Sequence, residues 1–120
     1  MSYSLLIIDD EPMMCMGVKE MVNWKSHGFS KIDMRFSYQE GLKAALSGEY
    51  HLILCDVRLQ DQSGLNIIRK MQERKISSAV VIISAYAEFS YAQTAMELGV
   101  FQYLLKPFPK ESHGSLSHYL

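Results

Sequence analysis

Four short apolar runs punctuate the chain, and each ends abruptly on a polar side chain. Leu5-Leu6-Ile7-Ile8 stops at Asp9-Asp10, and Leu52-Ile53-Leu54-Cys55 stops at Asp56. Val80-Val81-Ile82-Ile83 ends on Ser84, and Phe101-Gln102-Tyr103-Leu104-Leu105 ends on Lys106. Apolar runs of this length read as strands buried on both faces. The stretches between them change to a helical period, so strand and helix alternate and predict a parallel sheet. Pro12 falls in a first helical turn, where its missing amide is harmless. Met14, Val18, Met21 and Val22 then keep helical spacing, predicting a first helix that carries Trp24 and closes at Gly28 after His27. Ile32, Met34 and Phe36 alternate with polar residues as in a half-exposed edge strand.

The second helix opens on a capping box, Ser37-Tyr38-Gln39-Glu40, and would turn Tyr38, Leu42, Ala45 and Leu46 inward before ending near Gly48. A polar loop runs from Arg58 to Gly64, followed by a third helix with Leu65, Ile68 and Met71 facing the core. A fourth helix, from about Glu88 to Leu98, would set Ala92, Ala95 and Met96 against the sheet and close at Gly99. Residues 109–120 should supply a fifth helix with Leu116, Tyr119 and Leu120 on its apolar side. Gly114 and the serines are poor interior helix residues, so a short or irregular helix is expected there.

Composition narrows the function classes. At 120 residues the chain fits one domain with a core of its own, and its 48% apolar and 21% charged content is ordinary for a globular protein. A net charge of −1 gives no bulk attraction to nucleic acid, so DNA binding by this segment alone is disfavoured. No apolar run approaches the roughly 20 residues of a membrane span. The start, Met1-Ser2-Tyr3-Ser4, lacks a basic n-region, so no signal peptide is expected. Cys15 and Cys55 have no metal-ligand spacing and read as reduced structural thiols of a cytoplasmic protein. Four of the eight methionines, Met13, Met14, Met16 and Met21, cluster in the first helix, where core packing is favoured over a promiscuous groove.

In an open parallel sheet, ligands bind beyond the carboxyl ends of the strands. If these strands are neighbours, an acid pair, an acid, a hydroxyl and an amine converge there. Three ionised carboxylates side by side repel one another unless a cation joins them. Magnesium suits them, because it takes oxygen ligands, commonly one or two carboxylates, and keeps water or phosphate oxygens in its remaining positions. Ser84 and Lys106 make sense around a phosphoryl group, one donating a hydrogen bond and the other pairing with charge. A carboxylate nucleophile can form an aspartyl phosphate, a reaction catalysed mostly by positioning and charge neutralisation. Taken singly, each residue has a plainer role. Asp9 and Asp10 would cap the first helix, Asp56 reads equally as a turn former, Ser84 as a strand-end hydroxyl, and Lys106 as a solvated lysine. Their coincidence at successive strand ends favours the joint reading.

The motifs Ile7-Ile8-Asp9-Asp10-Glu11, Leu54-Cys55-Asp56-Val57-Arg58-Leu59 with Gly64 following, Ile83-Ser84-Ala85-Tyr86 and Tyr103-Leu104-Leu105-Lys106-Pro107-Phe108 resemble those of response-regulator receiver domains of bacterial two-component systems. The resemblance spans nearly the whole chain. It implies a flavodoxin-like α/β fold, a doubly wound five-stranded parallel sheet of order 2-1-3-4-5, forming a single domain over residues 1–120. It implies that Asp56 accepts a phosphoryl group from a sensor histidine kinase. Mg2+ would be held by Asp10, Asp56 and the main-chain carbonyl of Arg58, with Asp9 assisting through water. Lys106, joined to Pro107 by a cis bond, would hold a phosphoryl oxygen, and Ser84 and Tyr103 would form the switch. A homodimer through the helix 4–strand 5–helix 5 face is also implied.

The stretches Ser84–Ala92 and Leu98–Pro107 are similar to receivers attached to AraC-type helix-turn-helix regulators. By that likeness the chain is expected to be the receiver part of a longer protein, touching nucleic acid only through an output domain absent from this sequence. Three departures matter. Gln60 replaces a usual proline and predicts a more mobile loop. Arg58 and Tyr86 take positions bordering the phosphoryl group that tune its hydrolysis. The weak final helix puts the dimer face in question. Two rivals stand beside this reading: an aspartyl-nucleophile phosphohydrolase, disfavoured because Arg58 fills the place of its second acid, and an unphosphorylated interaction module of the same shape.

Overall fold

The computed structural model describes residues 2–60, 62–85 and 89–105, leaving aside the Phe89 side chain. Five parallel strands form one sheet: β1 Tyr3–Ile8, β2 Phe29–Arg35, β3 Leu52–Asp56, β4 Ala79–Ser84 and β5 Gln102–Leu105. Their order across the sheet is β2-β1-β3-β4-β5, the doubly wound order implied by the motifs. Helices α1 Pro12–Met21, α2 Tyr38–Leu46, α3 Leu65–Glu73 and α4 Phe89–Glu97 connect them.

Alternation along the strands divides the core in two. Leu5, Ile7, Leu52, Leu54, Val81 and Ile83 face one side, where Cys15 and Val18 of α1 meet Trp24 and Phe29. Leu6, Ile8, Ile53, Cys55 and Ile82 face the other, against Ala45 of α2, Ile67, Ile68 and Met71 of α3, and Ala95 of α4. The middles of the central strands, Leu5 to Ile8, Leu52 to Cys55 and Val80 to Ile83, are apolar at every position because both of their faces are covered. Each fully buried Leu or Ile contributes about 1.5–3 kcal/mol relative to exposure.

Several local expectations change. Helix α1 ends at Met21, since Val22 is extended (φ −122°, ψ 142°). A single 3-10 turn, Trp24–His27, begins afresh from Asn23, whose side chain accepts the Ser26 amide at 3.3 Å. Gly28, at φ +90°, therefore caps that turn and not the helix. Trp24 sits on the turn, and its indole N–H donates to the Val18 carbonyl at 3.2 Å, satisfying one acceptor freed where α1 stops. Ser37 does cap α2, accepting the Glu40 amide at 3.2 Å.

Phe36 lies past the end of β2 and Phe101 precedes β5; both are exposed, as is Met96 on the outer side of α4. Of the α4 residues expected to face the sheet, Ala95 is buried, because a nine-residue helix laid on a sheet turns only a narrow stripe inward. Residues 109–120, and with them the expected fifth helix, lie outside the described residues.

Candidate functional site

Strand register brings the acids together. Ile8 pairs with Cys55, so the next residues, Asp9 and Asp56, leave neighbouring strands at the same level. Asp56 pairs with Ile83, and Ser84 follows one step further, opposite Leu105. One carboxylate oxygen from each of Asp9, Asp10 and Asp56 lies within 4.8 Å of the others. Asp9 is fully buried, Asp56 is 5% exposed, and Asp10 is half-buried at the rim.

Backbone amides fix the three side chains. Asp9 Oδ1 accepts the Glu11 amide at 3.0 Å. Asp56 Oδ1 accepts the Arg58 amide at 3.3 Å, which holds the Arg58 backbone against Asp56. Asp10 Oδ2 accepts the Gln60 amide at 3.0 Å, joining the loop after β1 to the loop after β3. The N-cap of α1 is Glu11, whose own side chain makes no capping bond, while Asp9 holds the Glu11 amide just before the helix.

Gln60 departs from expectation in an informative way. It stands at φ +36°, in the left-handed region, and its N–H is the group that reaches Asp10. Proline, with φ near −65° and no N–H, is incompatible with both properties. A two-rung antiparallel ladder, Arg58 with Ser63 and Leu59 with Gln62, ties the same loop, and Leu59 is buried beneath it. The loop is thus anchored through the Gln60 amide and the short ladder, where a proline could not supply the same bond.

Gly64 closes the site from behind. Its amide donates to the Val57 carbonyl at 2.5 Å, and a Cβ there would fall 1.9 Å from the Asp56 carbonyl oxygen. Burial, reinforced by the charges of Asp56 and Asp9, pushes the Cys55 thiol well above its ordinary pKa. Both cysteines are buried and neither is in a disulfide, as their isolation in the sequence indicated.

Ser84 is buried at the end of β4, and Tyr103 on β5 is half-buried against the core on the α3 side. No buried side-chain nitrogen or oxygen among the described residues lacks a partner. Lys106, Pro107 and Tyr86 lie outside the described residues. Two contacts had no sequence signal: the Gln60 amide on Asp10, and the Arg58 side chain on Tyr91 of α4, discussed below. Gln60 is one polar residue in a polar loop, and nothing in helical spacing marks Tyr91 as a partner of a loop 33 positions away.

A doubly wound parallel sheet with a three-carboxylate pocket at its carboxyl edge defines the class: a flavodoxin-like α/β domain built to receive a ligand at that edge. The chain belongs to the response regulator receiver domain family, whose pattern matches residues 5–113. It is 32% identical over 105 residues to the uncharacterized transcriptional regulatory protein YesN of Bacillus subtilis, covering 88% of this chain and 28% of that protein. It is 34% identical over 113 residues to the sensory transduction protein LytR of Staphylococcus saprophyticus, covering 94% of this chain and 43% of that one. The chain thus spans less than half the length of these relatives. Among solved structures it is similar to the receiver domain of AraT, a response regulator from Geobacillus stearothermophilus. That match has a TM-score of 0.88 at 28% identity and covers 99% of this chain and 92% of that one. No helix among the described residues is long and apolar enough to cross a membrane.

Proposed function

We propose that this domain is a phosphoryl-accepting switch in which Asp56 takes a phosphoryl group from a sensor histidine kinase in a Mg2+-dependent reaction. The observation that carries the reading is the close approach of three carboxylates, two of them buried, at adjoining strand ends. Such a donor set fits a hard divalent cation: Asp10, Asp56 and the Arg58 carbonyl would hold it directly, with Asp9 behind them. When bound, the ion neutralises charge on the carboxylates and on incoming phosphate oxygens.

The chain's own residues supply position. The Arg58 amide fixes the Asp56 carboxylate, the Gln60 amide orients Asp10, and the backbone around Gly64 keeps the acceptor from retreating into the core. Ser84 and Lys106 are assigned to the phosphoryl oxygens as donor and counter-charge. Phosphorylation adds roughly −1.5 to −2 charge and three acceptors, and repositioning of Ser84 with Tyr103 would carry the change to α4 and β5. The domain catalyses only its own phosphorylation and dephosphorylation.

Its output is proposed to be transcription regulation through an attached DNA-binding domain of AraC type, acting in the cytoplasm. YesN is named a transcriptional regulatory protein and LytR a sensory transduction protein, and these names accord with such an output. The exposed apolar side chains of Met96, Phe101 and Leu105 accord with a dimer face formed by α4, β5 and the segment that follows. Incubation with Mg2+ and acetyl phosphate, followed by intact-mass measurement, tests the core proposal. One added phosphoryl group is expected, absent in Asp56→Ala. An unmodified mass for folded wild type would favour the interaction-module reading, and sustained turnover of a chromogenic phosphate ester would favour the hydrolase.

A further inference from the structure

Arg58 belongs to the site through its backbone, yet its side chain leaves the site. Its Nε donates to the Tyr91 hydroxyl oxygen at 3.1 Å, and its Cζ lies 5.7 Å from the centre of the Tyr91 ring. Tyr91 is half-buried on α4 and packs against the core on the α3 side. The second residue after Asp56 is thereby strapped to the helix that follows Ser84.

We propose that Arg58 is a charge-driven relay between the acceptor site and α4: Tyr91 holds its guanidinium before phosphorylation, and the phosphoryl oxygens claim it afterwards. This deepens the function proposed above and rests on it. The physical basis is competition for one planar cation. A phenol offers a neutral oxygen and a ring face at a largely exposed position. A phosphoryl group on Asp56 offers a near-dianion with a geometry that guanidinium matches in a bidentate fashion, so both partners are charged, whereas in the bond to Tyr91 only the donor is. The backbone of Arg58 is already fixed against Asp56, so the exchange requires side-chain rotation alone. Losing its strap, α4 becomes free to shift, and the Arg58–Tyr91 bond stabilises the unphosphorylated arrangement by whatever the exchange must break.

Beryllofluoride, a phosphoryl mimic, tests this with Mg2+ present. Affinities would be measured by amide NMR titration of wild type, Tyr91→Phe, Arg58→Ala and the double variant. Tyr91→Phe keeps the ring and removes only the oxygen. It is expected to tighten beryllofluoride binding by about 3- to 10-fold, the worth of one net hydrogen bond lost from the free state. Arg58→Ala is expected to weaken binding. In the Arg58→Ala background, Tyr91→Phe should change affinity by less than about 1.5-fold, since the strap is already gone. The α4 amide shifts of free Tyr91→Phe should also move toward those of the bound wild type. Equal or weaker binding by Tyr91→Phe would overturn the relay, as would equal tightening in both backgrounds. A folded wild type that binds no beryllofluoride would remove the phosphoacceptor reading itself, and the relay with it.

Discussion

Replacing Gly64 by alanine tests how tightly the core fixes the acceptor. Gly64 sits at φ −60°, ψ −22°, an ordinary helical conformation, so nothing about its backbone requires glycine. The requirement is space. An added Cβ would stand 1.9 Å from the Asp56 carbonyl oxygen, 3.0 Å from its carbonyl carbon and 2.9 Å from the Cys55 Sγ. Two of those atoms are backbone of a fully paired strand, so no side chain can swing aside. Relief needs a displacement of about 1.5 Å to reach ordinary contact, in a core packed to crystal density. Overpacking of this kind costs about 1–3 kcal/mol and more when backbone must move, while alanine's helix propensity returns less than 1 kcal/mol.

A net loss of about 2–3 kcal/mol is therefore expected for Gly64→Ala, equivalent to a fall in Tm of roughly 8–15 °C for a domain of this size. Gly17 provides the control. It lies inside α1 with nothing within 4 Å of its would-be Cβ, so Gly17→Ala is expected to stabilise by about 0.5–1 kcal/mol. Urea denaturation with unchanged m-values measures both. The shift at residue 64 falls on the acceptor's own backbone, so Gly64→Ala should also slow modification by acetyl phosphate under conditions where it is fully folded. A Gly64→Ala protein as stable as wild type, with an unchanged phosphorylation rate, would refute the steric argument.

Two further outcomes concern the loop amide held by Asp10 and the Tyr50–Asp33 pair. Gln60→Pro loses the amide bond to Asp10 and cannot adopt φ +36°, so it should destabilise by about 1–2 kcal/mol, whereas Gln60→Gly should stay within about 0.5 kcal/mol of wild type; an equally stable proline variant in urea denaturation would show that the bond to Asp10 holds nothing. At the far edge of the sheet, burial and then the Asp33 carboxylate, which accepts the Tyr50 hydroxyl at 2.5 Å, raise the Tyr50 pKa from 10.0 to about 12. That contribution is present below pH 10 and is lost as pH rises toward 12, while the lowered pKa of Asp33, due first to the Tyr50 hydrogen bond, contributes stability that is lost as pH falls through the acid range. Stability against pH should show both declines in wild type and smaller ones in Tyr50→Phe; superimposable curves for the two proteins would contradict the coupling.

The strands were legible because burial on both faces writes an unbroken apolar run, and the candidate acids were legible because each interrupts such a run. Capping at Ser37 and the left-handed Gly99 were likewise readable from local chemistry alone. What escaped was tertiary. The end of α1 at Met21 depends on Trp24 reaching back to the Val18 carbonyl, a bond that periodicity cannot encode. Met96 has the right spacing to face inward, but the sheet accepts the small Ala95 there. Gly41 looks like a weak helix residue, yet its would-be Cβ lies 2.6 Å from Ile8 Cγ2, so the glycine sets how closely α2 approaches β1. Gln60 looked like the loss of a rigid proline. Its amide bond to Asp10 is visible only once two loops from different strands are brought together.

The site's accuracy is therefore a property of the core. Asp9 and Asp56 stand level because Ile8 pairs with Cys55, and that register is enforced on both faces at once. Leu5 and Ile7 must enter the α1 side while Leu6 and Ile8 enter the α2 and α3 side. A slip of one residue would exchange the two sets and turn each terminal carboxylate to the opposite face. Because the two compartments are packed with differently shaped partners, Trp24 and Phe29 on one side and Tyr38 and Met71 on the other, neither set fits the other's place. The repulsion among three close carboxylates then has no cheap escape through strand sliding. In the function proposed above, it would be relieved by a divalent cation where the pocket opens, at half-buried Asp10.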